Sequence, residues 1–146
     1  MGQNIVAKTY DRVPKIAIEI AKLTFVIAIS MSLFIIIFPK HFFKIFTQDY
    51  DVIKISMEYI PIAVLMFFGS ACRAPVNAII NGSGNYKVNF ATAIFDGIIL
   101  RIGLSALFGL ALDMKYLGFC LGDALTGFTP MIIGIVFYAT GNWKKS

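Results

Sequence analysis

Four charged residues lie inside long stretches that are otherwise apolar: Arg73, Asp96, Arg101 and Asp123. If those stretches cross a bilayer, each charge costs roughly 2.5–3.5 kcal/mol to place in the hydrocarbon, so it normally has an oppositely charged partner or lines a water-filled cavity. A carboxylate in such a cavity can take up a proton or a cation. The residue types therefore indicate either ion pairs between helices or ion-binding chemistry inside a membrane.

The depths of these four residues match in two pairs. At a rise of about 1.5 Å per residue, Asp96 lies about 12 Å and Arg73 about 9 Å from the same side of a bilayer roughly 30 Å thick. The same arithmetic places Arg101 and Asp123 both about 20 Å from that side. We therefore predict two interhelical ion pairs, Arg73 with Asp96 and Arg101 with Asp123, that fix helix packing. The alternative is that Asp96 or Asp123 faces a wet cavity and takes up a proton or cation during transport.

The rest of the chain offers no further constellation of reactive residues. The only histidine is His41, and no cluster of residues has the ligand spacing of a metal site. No serine or cysteine has a candidate base nearby, and Cys72 and Cys120 fall inside apolar stretches where they are expected to pack as small hydrophobic residues. We therefore predict that the protein is not an enzyme and has no catalytic, metal-binding or cofactor-binding residue.

The elements that must position the four charges are long apolar helices. Hydrophobic residues make up 58% of the 146 residues and charged residues 14%, whereas a soluble domain has nearer to a quarter charged. Because a bilayer core requires roughly 20 helical residues, the pattern predicts four transmembrane helices at about residues 16–38, 59–80, 88–112 and 116–140. Four stretches of that length argue against a buried soluble bundle. The predicted fold is an all-α, polytopic integral membrane protein.

The distribution of basic residues predicts the orientation of these helices. With four spans, both chain ends and the middle loop share one side, which carries Lys8, Arg12, Lys15, Lys22, Lys87, Lys144 and Lys145. The other side carries Lys40, Lys44, Lys54 and Lys115. The excess favours cytoplasmic termini in a cell membrane. No basic stripe is interleaved with aromatics, so membrane lipid rather than nucleic acid is the expected partner.

The connecting segments carry their own signals. Residues 1–14 are polar and read as a connector, and residues 40–51 mix aromatics with lysines, which is typical of a segment at the headgroup level. Either Asp49 or Asp51 is expected to cap a helix that starts outside the bilayer and continues into the second span. Small residues recur four apart in the last two spans, a spacing that lets helix backbones approach closely in lipid: Ser105 with Gly109, and Gly118 with Gly122.

Several of these motifs, in this order, resemble those of MATE (multidrug and toxic compound extrusion) transporters. Residues 3–8 (QNIVAK) resemble the connector that precedes the ninth helix of that family, and residues 81–87 (NGSGNYK), with Gly82 and Gly84, resemble its loop between the tenth and eleventh helices. The Gly118-Phe119 and Gly122-Asp123 pairs and the closing Gly141-Asn142-Trp143 resemble its twelfth helix and end. The resemblance covers essentially the whole chain.

The resemblance implies a C-terminal fragment, residues 1–146, matching the last four of twelve helices. The family exports cationic, amphipathic drugs in exchange for Na⁺ or H⁺, so the implied partners are such drugs and the missing helices or further copies of the chain. Some members bind the coupling cation at a carboxylate in the tenth helix, but the matching position here is about Ser70, and no acid lies near it. The alternatives are a small oligomeric transporter that uses Glu19, and a non-transporting scaffold or inert truncated fragment.

Overall fold

The computed structural model describes residues 1–144, so Lys145 of the basic-residue count lies outside the described residues. The described chain is helical and contains no strand. Four of its helices are long and apolar enough to cross a membrane: Arg12–Ile37, Ile60–Gly82, Tyr86–Ala111 and Lys115–Ala139, named here the first to fourth spans. The prediction of an all-α, polytopic membrane protein is confirmed.

The amino-terminal segment contains more helix than the sequence indicated. The first span begins at Arg12 rather than near residue 16, because Pro14 fits the first turn of a helix, where its missing amide hydrogen has no partner to lose. It ends at Ile37, two residues before Pro39. The supposed polar connector forms a short helix, Gly2–Val6, in which Ile5 is buried.

The chain between the first and second spans forms two short helices, Pro39–Lys44 and Tyr50–Glu58. Asp49 caps the second of them, since its carboxylate accepts hydrogen bonds from the amides of Asp51 and Val52. The expected continuation into the second span is wrong: the chain turns at Tyr59 and the span starts at Ile60. Pro61 has no amide hydrogen to bond a carbonyl one turn back, so the helix is interrupted there.

The third and fourth spans are not uniform α-helices. The third contains two π-helical segments, Phe95–Leu100 and Leu107–Ala111, separated by the α-helix Arg101–Ala106. The fourth consists of Lys115–Thr126 and Thr129–Ala139, with a turn at residues 127–128. Pro130 follows that turn and lacks the amide hydrogen that would continue the helical ladder across it.

The second span is the centre of the bundle. It packs along the first span on one side and the fourth span on the other, and the third span packs mainly against the fourth. A buried cluster closes one end of the bundle, where the N-terminal helix meets the second span and Trp143: Ile5, Val13, Val76, Ile79, Ile80, Phe137 and Trp143. The Tyr10 hydroxyl donates to the Lys144 carbonyl there. Both ends of the described chain and the loop between the second and third spans therefore share one end of the molecule.

Much of the apolar surface of the spans is uncovered. Only 11% of the apolar window of the third span is buried, and 28% in the second and fourth spans. Large side chains such as Leu23, Ile102 and Leu110 are more than half exposed. Surfaces of this composition are covered by lipid or by other helices.

Candidate functional site

The first ion pair links the second and third spans. Arg73 Nη2 lies 3.1 Å from Asp96 Oδ2, and the Asp96 side chain is only 5% exposed while that of Arg73 is 33% exposed. Arg73 and Asp96 are thus the partners that the depth arithmetic joined. A carboxylate so far removed from solvent requires a charged or hydrogen-bonding partner, and the guanidinium supplies one.

The second oxygen of Asp96 is left free by this contact. Oδ1 is buried and has no hydrogen-bond partner among the described residues. Asp96 also lies in the π-helical segment Phe95–Leu100. Single π-helical turns inside α-helices occur often at functional sites, and a buried acceptor without a partner can take a proton, a water or a cation. Asp96 therefore pairs with Arg73 through one carboxylate oxygen, and its other oxygen is available to bind a proton, a water or a cation.

The second ion pair links the third and fourth spans. Arg101 Nε lies 2.8 Å from Asp123 Oδ1, with side chains 47% and 35% exposed. Arg101 begins the α-helical piece that follows the first π segment, so it sits on a different part of the third span from Asp96. The structure joins each arginine to one aspartate on a neighbouring span. Spans two, three and four are thereby connected by two charged contacts.

Small residues set the distance between the third and fourth spans. A Cβ atom added at Gly122 would lie 2.5 Å from the backbone nitrogen of Ser105, and one at Gly118 would contact the Phe108 carbonyl oxygen. A Cβ at Gly109 would lie 2.7 Å from the ring of Phe119. The two small-residue pairs therefore face each other, as small-residue interfaces in lipid do. Because Asp123 follows Gly122, this close approach brings its carboxylate within reach of Arg101.

The glycines of the loop between the second and third spans serve different needs. Gly84 has φ +69°, the left-handed region that glycine adopts without strain. Gly82 lies against the backbone of Gly2 and the side chain of Met1. A side chain at Gly82 or at Gly2 would therefore push the N-terminal helix away. Asn85 then caps the third span by accepting a hydrogen bond from the Val88 amide. The loop motif therefore forms a turn, and the N-terminal helix packs against it.

The remaining sequence candidates lie away from the two pairs. Glu19 pairs with Lys22 at 2.7 Å on an exposed surface, the two side chains being 70% and 65% exposed. Ser70 lines an apolar cleft of about 160 Å³ between the first and second spans, together with Phe67. Among residues 1–144, no three His, Cys, Asp or Glu side chains converge as metal ligands would.

One polar contact gave no signal in the sequence. The Tyr116 hydroxyl donates to Glu58 Oε2 at 2.5 Å and joins the helix Tyr50–Glu58 to the start of the fourth span. The two residues are 58 positions apart, and neither lies in a recognisable motif. Only the packing of the bundle brings them together.

The Arg101–Asp123 contact can be tested by a double-mutant cycle. We expect Arg101→Ala and Asp123→Ala to be coupled by about 0.5–1 kcal/mol in the free energy of unfolding in detergent, because the pair is half exposed and polar contacts between membrane helices average about that value. Independent, additive effects of the two substitutions would show that the contact contributes nothing.

Comparison with known proteins adds an independent line of evidence. The profile of the MatE family matches residues 1–107. Multidrug and toxin extrusion protein 1 of Homo sapiens is 25% identical over 126 residues, covering 85% of this chain and 22% of the relative, and the Pongo abelii protein of that name gives the same values. The Xenopus tropicalis protein is 29% identical over 104 residues, covering 70% and 18%. This chain spans about a fifth of the length of these relatives. No solved structure matches it significantly.

Proposed function

Because the chain belongs to the MatE family of membrane transporters, we propose that it is part of a secondary active multidrug efflux antiporter. The family match over residues 1–107 is the observation that carries this proposal, and the relatives named Multidrug and toxin extrusion protein 1 support it. The proposed substrates are cationic, amphipathic compounds, exported in exchange for Na⁺ or H⁺. Alternating access would arise as helical lobes rock around a central site.

We propose that the chain corresponds to the last four helices of the transporter. The motif order supports this position, and so does the surface of the bundle. A four-helix unit that buries 11–28% of its apolar windows leaves faces on which further helices can pack. In the complete transporter, helices preceding these four would cover those faces, and lipid would cover the remainder.

The role we propose for the two ion pairs is to hold the second, third and fourth spans together as one unit. Arg73 and Arg101 each bind an aspartate of an adjacent span, so sliding of one span against another would break a charged contact in a low-dielectric environment. A rocking lobe needs such internal rigidity. The free Oδ1 of Asp96 favours a second role, uptake of the coupling proton or cation, for that residue alone.

We propose a cell-membrane location with both termini in the cytoplasm. The excess of Lys and Arg residues on the side of the chain ends supports this orientation. That count groups both chain ends and the middle loop on one side. The structure supports this grouping, since the N-terminal helix, the loop after Gly82 and Trp143 lie at one end of the molecule.

The genomic DNA and an efflux assay test the fragment proposal together. An open reading frame that continues upstream of Met1 and encodes about eight more membrane helices is the expected result. In a pump-deficient bacterial host loaded with ethidium, the extended protein should then export the dye, and the same protein without residues 1–146 should not.

Three outcomes would favour the alternatives. Ethidium export by residues 1–146 alone would support a small oligomeric transporter, and Glu19→Gln would then be the first substitution to examine. An extended protein that inserts into the membrane but exports no cationic dye would support a scaffold. An upstream sequence without membrane helices, combined with no export by the chain, would support an inert fragment.

A further inference from the structure

The two short helices between the first and second spans enclose a cleft. Its volume is about 340 Å³, and it is lined by Lys40, Lys44, Tyr50, Ile53, Lys54 and Met57. Lys40 and Lys44 are four residues apart, so they share one face of the helix Pro39–Lys44. The lining residues of the helix Tyr50–Glu58 are spaced three and four apart, so they also share one face. The two helices thus bring three lysine side chains to one cleft.

No ion pair neutralises the three lysines of this cleft, although the segment that carries them also contains the acids Asp49, Asp51 and Glu58. None of the three lysines forms an ion pair or hydrogen bond within residues 1–144, and none of the lining residues is acidic. Two nearby acids have other partners: Asp49 accepts the amides that cap its helix, and Glu58 accepts the Tyr116 hydroxyl. Asp51 is three residues before Lys54 and therefore lies near it on the helix surface, but the ion pairs found within residues 1–144 do not include it. Three unpaired cations in one cleft attract an anion.

Aromatic side chains place this cleft at the membrane surface. The ring of Phe42 lies 6.2 Å from that of Phe34 in the first span and 5.6 Å from that of Phe46 beyond the short helix. Phe38 and Phe46 are 48% and 75% exposed. This row continues the lipid-facing surface of the first span onto the helix Pro39–Lys44. Phenylalanines beside lysines are typical of a helix that lies in the interface with its apolar face towards the acyl chains, so the lysines are held at the depth of the headgroups.

From these observations we propose that the cleft binds the phosphate headgroup of an anionic phospholipid. The three ammonium groups surround the phosphate, and the Tyr50 hydroxyl adds a hydrogen-bond donor. Ile53, which is buried, and Met57 supply an apolar floor beside the glycerol. The acyl chains extend along the first span, whose Leu33, Ile36 and Ile37 are more than half exposed. A soluble anion shares the phosphate chemistry but makes no use of this apolar surface.

Lipid binding to the full chain in a neutral detergent tests this proposal by native mass spectrometry. Phosphatidylglycerol should bind at one tight site per chain, and phosphatidylcholine should bind at least about tenfold more weakly, since each basic residue near an anionic headgroup contributes substantially. The triple change Lys40→Gln, Lys44→Gln and Lys54→Gln should weaken phosphatidylglycerol binding at least about tenfold. The corresponding triple Lys→Arg variant should retain it.

A matched variant distinguishes binding at this cleft from a general electrostatic attraction between the basic chain and anionic lipid. The triple change Lys8→Gln, Lys15→Gln and Lys87→Gln removes the same number of positive charges, but from the other end of the bundle. It should change phosphatidylglycerol binding less than about twofold. Equal losses in the two Gln variants, or equal affinity for the two lipids, would overturn the proposal. Displacement of the lipid by millimolar inorganic phosphate would also overturn it and assign the cleft to a soluble anion. Circular dichroism verifies that all variants remain helical.

Discussion

Replacing Arg73 by methionine is expected to destabilise the protein by about 3–5 kcal/mol. The substitution keeps an unbranched side chain of similar length in the second span but leaves the Asp96 carboxylate without a cation, and that side chain is only 5% exposed. A buried carboxylate that loses its partner retains the cost of desolvation without the compensating attraction. The free energy of unfolding, measured by titration with a denaturing detergent, reports this loss.

A double variant is the control for the Arg73 prediction. Arg73→Met combined with Asp96→Ala removes both charges, and we expect it to recover most of the stability lost in Arg73→Met, because a buried pair can often be replaced by apolar groups at little cost. If Arg73→Met changed the unfolding free energy by less than about 1 kcal/mol, the contact would belong with weak, solvated pairs rather than buried ones.

Asp96→Asn distinguishes the two roles proposed for Asp96. The amide is close in size to the carboxylate and can still accept a hydrogen bond from Arg73, so part of the contact should be retained although the guanidinium loses its counter-charge. It cannot take up a proton or attract a cation as a carboxylate does. In the extended transporter, loss of ion-driven ethidium export with unchanged stability would assign Asp96 to coupling. Retained export with reduced stability would leave only the structural role.

Gly122→Ala is the substitution with the next largest expected effect, about 1–3 kcal/mol of destabilisation. The added Cβ would lie 2.5 Å from the backbone nitrogen of Ser105 and 2.7 Å from the carbonyl carbon of Leu104. Both contacts are with backbone, which cannot rotate away as a side chain can, so the third and fourth spans must separate. Their separation would also lengthen the adjacent Arg101–Asp123 contact. Unfolding in detergent measures the effect.

Gly103→Ala provides the matched control in the third span. A Cβ at Gly103 meets nothing within 4 Å, so alanine should be neutral or stabilise the helix by up to about 1 kcal/mol through its higher helix propensity. Similar behaviour of the Gly122 and Gly103 variants would mean that the third and fourth spans do not pack through their small residues.

The depth arithmetic paired the charges correctly with their partners in the structure because depth along a helix is nearly a local quantity. Arg73 with Asp96 and Arg101 with Asp123 required only the rise per residue and the ends of the spans. The same arithmetic says nothing about rotation around the helix axis. Three properties of Asp96 depend on packing against neighbouring spans. The whole residue is only 4% exposed, it lies in a π-helical segment, and one of its carboxylate oxygens has no partner among the described residues.

Helix interruptions were harder to predict than helix existence. The helix capped at Asp49 or Asp51 was expected to continue into the second span, whereas the chain turns at Tyr59, two residues before Pro61. The turn before Pro130 was not anticipated. A proline can kink a helix or end it, and the outcome depends on which nearby groups satisfy the freed carbonyls.

By itself, the sequence determined the number of spans, their approximate limits and the small-residue interface, because hydrophobicity over about 20 residues and spacing on one helix are local properties. Only the tertiary structure decided that the fourth span packs between the second and third, and that Tyr116 reaches Glu58. It also decided that Lys40, Lys44 and Lys54 share one cleft. These contacts join residues distant in the chain, and their geometry follows from how whole helices pack rather than from any local pattern.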